Sequence, residues 1–213
     1  MDTRVSYYVY FSLFLWIAAQ KYSKLLTFCI QSIVVVLSIG LITTNVSAYK
    51  QVNGHIEEYL SVASFIEPNS TLLPLDSCGG DWEMSYENRV KPFLHVSNHI
   101  GTQRNILVLR NYEANMGYFP FVYRSETNPY IHIGTLECES DVPKADFIDY
   151  QERTGGRIDY VSIWLGKKVQ QGNSNLLSIY QQLHKGFEMI YESPGGAIEL
   201  YRRKSWEHPD AYQ

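Results

Sequence analysis

The chain has 213 residues, with 18 basic and 22 acidic side chains and a formal net charge of −4. That balance argues against nucleic acid as a ligand, because such binding depends on Lys and Arg neutralising phosphates. The length suffices for one domain with a sizeable core in addition to a membrane segment.

Two apolar stretches open the chain. The first, Tyr7–Ala19, is short and aromatic; the second, Leu25–Ala48, carries no charge between Lys24 and Lys50. A hydrocarbon core of ~30 Å takes ~20 helical residues, so the second stretch is long enough to span. Its Thr43 and Thr44 can return their hydroxyls to backbone carbonyls. With Val5 and Ser6 added, the first stretch is expected to complete a membrane hairpin over residues 1–49, with spans near 5–20 and 25–48. Lys21 and Lys24 in the connecting loop place that loop in the cytoplasm by the positive-inside rule, and the rest of the chain outside. The expected location is a bacterial inner membrane, with residues 50–213 periplasmic or extracellular. With Asp2, Arg4, Lys21 and Lys24 set aside, that outer part keeps 15 basic and 21 acidic residues, a net charge of −6.

After the membrane segment, Ile56, Tyr59, Leu60, Ala63 and Ile66 recur at helical spacing, predicting a helix over Gln51–Glu67 that Pro68 ends. Thr71–Leu75 reads as a strand, Val90–Ile100 as a helix and Ile106–Arg110 as a second strand. Tyr160–Leu165 is a continuous apolar run, the mark of a strand covered on both faces. Ser174–Leu183 is amphipathic, with Leu176, Leu177, Tyr180 and Leu183 on one face. Phe187–Tyr191 and Ala197–Tyr201 flank Ser-Pro-Gly-Gly and read as a hairpin. The expected fold is α/β: two transmembrane helices, then a small three-layer α/β domain with an open, mixed sheet.

Chemistry is sparser. Asp76, Asp81 and Glu83 follow the first predicted strand, where open α/β sheets place ligands at the carboxyl edge; a polar loop turned by Gly79-Gly80 is the plainer reading. His95 and His99 are four apart, a spacing that metal sites use, but HVSNH lacks the Glu of HExxH and also fits a solvated helix face. These five residues are the candidate ligand-binding set; no catalytic residue, metal or cofactor is expected. Cys78 and Cys138 are candidates for a disulfide in an oxidising compartment. Phe119-Pro120-Phe121 fits either an apolar groove or the core. Glycine-rich phosphate loops and the G-x-S-x-G elbow are absent from the sequence.

Taken together, the Asp2-Thr3-Arg4 lead-in, the paired apolar stretches, HIEEYLSVASFIEPNSTLLPL, NYEANMGYFPFVYR, IDYVSIWLG and AIELYRRK resemble the C-terminal end of bacterial GT-C glycosyltransferase-like polytopic membrane proteins. The resemblance implies a role in envelope polysaccharide or glycolipid assembly on the outer face. It implies a polytopic transferase as partner and a lipid-linked sugar or glycan as acceptor. In that class the catalytic acidic residue sits in the first outward loop of a chain with many spans, and this sequence has no such loop. The resemblance therefore implies a fragment or split partner that binds acceptor or braces the membrane part. The alternative is a stand-alone membrane-tethered ligand-binding or sensory module without catalysis.

Overall fold

The computed structural model describes residues 3–76, 95–117, 119–136, 142–164 and 173–204. The chain falls into two compact units, Met1–Gln51 and Val52–Gln213.

The first unit contains helix α1, Thr3–Ala18, and most of helix α2, Lys24–Leu60. Ser23 starts α2 by accepting the Leu26 N–H at 3.3 Å. Within α2, Lys24–Val46 is long and apolar enough to cross a membrane, and none of it is buried against protein. That exposure separates it from the core helix of a soluble domain, whose apolar residues are covered. A signal sequence meets the same criterion of length and composition. Three polar side chains near the end of the stretch bond to the helix backbone: Thr43 donates to the Ile39 and Gly40 carbonyls, Thr44 and Asn45 to that of Leu41. The expected hairpin of two spans is corrected here. The apolar part of α1 is only Tyr7–Ala18, about 18 Å at 1.5 Å per residue and well short of a hydrocarbon core.

The second unit is built on a five-stranded mixed sheet, ordered β2-β1-β3-β5-β4. The strands are β1 (Thr71–Asp76), β2 (Leu107–Val108), β3 (Tyr160–Trp164), β4 (Phe187–Glu192) and β5 (Ile198–Arg203). β1 runs parallel to both β2 and β3, whereas β5 is antiparallel to β3 and to β4. The last pair is the hairpin expected around Ser-Pro-Gly-Gly.

Alternation along the strands sends apolar residues to both faces, as a covered sheet requires. On one face Leu73, Leu75, Val161, Ile163 and Tyr201 pack with Ile179 and Leu183 of helix α7, Ser174–Gly186. Tyr150 of α6 (Tyr150–Thr154) joins them, and the short α5 (Pro129–His132) leads directly into Ile133 of the same core. On the other face Leu72, Tyr160, Trp164, Ile198 and Leu200 pack beneath Tyr59 of α2, Val62 and Ala63 of a 3-10 turn (Ser61–Phe65), and Val96 and Ile100 of α3 (Val96–Arg104). Two helical layers thus enclose the sheet, the three-layer α/β domain expected from the element order.

Details depart from the sequence reading. The helix expected to run to Glu67 stops at Leu60, tightens into the 3-10 turn and is extended at Ile66. β2 is two residues rather than five. The Leu72 carbonyl accepts from the Leu109 N–H at 2.9 Å, so Leu72 and Pro74 face the β2 side, and Pro74 has no N–H with which to extend that ladder. α3 reaches Arg104 and is closed by Asn105 in the left-handed region (φ 53°); residues 90–94 of the expected helix lie outside the described residues. On α7, Leu176 and Tyr180 are partly buried, Ile179 and Leu183 fully so, and Leu177 is exposed.

Candidate functional site

β1, β2 and β3 run in the same direction, so their carboxyl ends share one rim. Asp76 is the last residue of β1 and stands in register with Trp164, the last of β3. Its side chain lies on the same face as Leu72 and is 7% exposed. The Tyr59 hydroxyl donates to Asp76 Oδ1 at 3.1 Å, and Arg110, two residues beyond β2, donates from Nη1 to Asp76 Oδ2. The Trp164 ring tilts against Tyr59, with centroids 5.2 Å apart. A carboxylate, a guanidinium and a phenol are thereby buried together where β1, β2, β3 and the last turn of α2 meet.

The electrostatics follow from that burial. Removal from water pushes the Tyr59 phenol well above its ordinary value, and the neighbouring Asp76 charge pushes it further. For Arg110 burial is the largest single influence and acts downward, but the Asp76 carboxylate together with Tyr59 and Tyr130 makes the net shift upward. An ion pair withdrawn from water in this way holds together only while both partners are present.

His95 begins the same rim. It caps α3 in a non-helical conformation (φ −120°, ψ 8°) and its ring stacks on Tyr112, with centroids 5.7 Å apart. His99 lies within the helix and His95 is its N-cap, and both are exposed. Among the described residues no group of three His, Cys, Asp or Glu side chains could hold a metal ion. Asp81, Glu83, Cys78 and Cys138 lie outside the described residues. Cys29, within α2, is a free, exposed thiol.

Tyr112 opens the short helix α4, Tyr112–Asn115, capped by the Asn111 side chain, which accepts from the Ala114 N–H. The segment that follows returns to the body through Tyr123, whose N–H donates to the Ala114 carbonyl and whose hydroxyl donates to that of Leu109, both at 2.9 Å. Between these ties Met116, Phe121 and Val122 are 38%, 77% and 58% exposed. Of the two readings of Phe119-Pro120-Phe121, Phe121 is not core.

On the opposite face of the sheet a second carboxylate is buried. Glu199 accepts from the hydroxyls of Tyr180 at 3.1 Å and Tyr201 at 2.7 Å. Burial, and then the Glu199 carboxylate, raise both phenols strongly.

Of the residues proposed from sequence, the fold brings Asp76 and His95 to one rim and leaves His99 outside it. Arg110, Tyr59 and Tyr112 escaped the sequence reading. The one available signal was a cation closing an apolar strand, Ile106–Arg110. What these elements define is a mixed α/β domain with a polar, buried floor at its carboxyl edge and an apolar lip beside it. Comparison with protein-family models, with curated proteins and with solved structures gives no match for the chain.

Proposed function

We propose that this chain is a membrane-anchored, extracytoplasmic binding domain working with a GT-C type glycosyltransferase in envelope polysaccharide or glycolipid assembly. Its carboxyl-edge rim engages the polytopic partner or the acceptor that partner modifies. The observation that carries the reading is the lip: Met116, Phe121 and Val122 are held out to solvent by ties at both ends of their segment, directly after the buried Arg110. Exposed apolar side chains gathered on one anchored segment support contact with protein or lipid.

Two further points support it. Of the strings that resemble the GT-C proteins, three supply β1, β3 and β5, which are adjacent at the centre of the sheet, and NYEANMGYFPFVYR supplies the lip. The membrane orientation also survives the loss of the second span. Arg4 and Lys21 precede the Lys24–Val46 stretch, Lys24 stands at its start and only Lys50 follows closely, which supports an N-terminal side in the cytoplasm and a domain outside.

The test is a pull-down of the full chain from native membranes in mild detergent, alongside the Phe121→Asp variant. A polytopic membrane protein recovered with the parent chain and lost with the variant is the expected result. Recovery of the parent chain alone, or of the same partner with both, overturns the reading.

A further inference from the structure

At the other end of the sheet, the amino edge of β1 and β3, lies a cleft of about 940 Å3, at the upper end of the range for small-molecule sites. The topology makes it. Because β5 is antiparallel to β3, its final residues emerge beside the first residues of β3, and the residues leading into β1 and β4 close the sides.

The cleft is densely charged, and two of its cations, Arg157 and Arg202, are paired with carboxylates. Arg157 pairs with Asp159, whose other oxygen accepts the Thr71 N–H at 2.9 Å. Arg202 reaches Glu188 from both Nε and Nη2, at 3.1 and 2.7 Å. Lys204 Nζ donates to the His184 carbonyl at 2.8 Å.

Arg203, like the exposed Lys185 and Lys204, has no carboxylate partner among the described residues, but it is half-buried; its Nη1 donates to the neutral Gln151 Oε1 at 2.9 Å, and its guanidinium lies 5.7 Å from the Phe187 ring centroid. Burial holds this guanidinium below the usual arginine value, with Asp159 offsetting only part of that effect. A guanidinium has five donors in a planar fork suited to phosphate or carboxylate, and a partly desolvated cation gains most from such a partner. Glu67, Asp149 and Glu152 line the same cleft. Their negative charge limits how much anionic charge the cleft tolerates, and their oxygens can accept hydrogen bonds from hydroxyl groups.

We propose that the amino-edge cleft binds a hydroxylated small molecule bearing a single anionic group, with Arg203 gripping that group through its free donors. This site is separate from the carboxyl-edge lip and does not depend on the partner reading.

The test uses the full chain in detergent micelles at constant ionic strength, titrated with glycerol 3-phosphate, with D-glucuronate, and with glycerol as the neutral control. Thermal melting and calorimetry are the readouts. The expected result is saturable stabilisation by one of the two anions and none by glycerol, the responding anion identifying the head group. Arg203→Gln weakens that binding by roughly tenfold or more, as loss of a charge-assisted pair predicts. Arg203→Lys, which keeps the charge but not the fork, falls between. Phe121→Asp leaves the binding unchanged. No anion-specific stabilisation, or equal binding in Arg203→Gln, overturns the proposal. Should that variant fail to fold, undiminished binding in Arg203→Lys overturns it alone.

Discussion

The Tyr59 hydroxyl meets the Asp76 carboxylate at 3.1 Å, joining the last turn of α2 to the carboxyl end of β1. Arg110 holds the other carboxylate oxygen, so one buried group ties a helix, a strand and the segment after an edge strand. Removing a single partner strands a charge away from water. Arg110→Met is therefore expected to cost about 3–5 kcal/mol, whereas Asp76→Leu with Arg110→Met costs clearly less than the sum of the single losses. Chemical denaturation of the full chain in detergent, read as a double-mutant cycle, decides it. Strict additivity would show that the pair contributes nothing beyond its separate packing.

The domain is expected to lose stability in alkali. Tyr59, Tyr180 and Tyr201 all have folded values raised above the unfolded phenol near 10. Between the two values the native state holds protons that the unfolded state has released, so stability falls as pH rises. Their contribution is complete below about pH 10 and declines above it. Melting temperatures from pH 8 to 11.5 check this. Tyr201→Phe, though less stable at neutral pH, should show a shallower alkaline decline; an unchanged slope would count against the raised phenol.

Gly134 should not tolerate a side chain. Its φ of 124° belongs to glycine, and a Cβ there would run into the Lys144 carbonyl oxygen at the bridge Gly134 forms with Ala145. Gly134→Ala is expected to cost about 1–3 kcal/mol. Gly155→Ala, also at positive φ but in open space, should cost less. The order of their melting temperatures is the check.

The proposed membrane orientation makes a prediction independent of any ligand. In a bacterial host, alkaline phosphatase fused after Lys204 should be active and a fluorescent protein fused there dark, with the opposite pattern for fusions after Tyr22. Fluorescence at the Lys204 junction would place the domain in the cytoplasm and remove the setting proposed for it.

Much of the architecture is legible along the chain because its signals are local. Tyr160–Trp164 announces a doubly covered strand by being apolar throughout. Ser-Pro-Gly-Gly between two apolar runs makes a hairpin, and the uncharged run after Lys24 makes a helix without protein cover. The misses are of another kind. β2 is cut short by Pro74, which lies on the neighbouring strand, so nothing within Ile106–Arg110 foretells it. The second membrane span failed on length, where a dozen apolar residues resemble a span in composition but not in reach.

By itself, the sequence determined the apolar helix, the main strands and longer helices of the domain, and its mixed α/β character, since these follow from hydrophobic period and backbone chemistry within a few residues. Only the tertiary structure decided which charges met. Asp76 and Arg110 are 34 residues apart, Tyr59 was indistinguishable from core, and Arg203 differs from its neighbour Arg202 only in what surrounds it. Pairing between distant side chains depends on strand order and direction, which bring together residues that no local pattern connects.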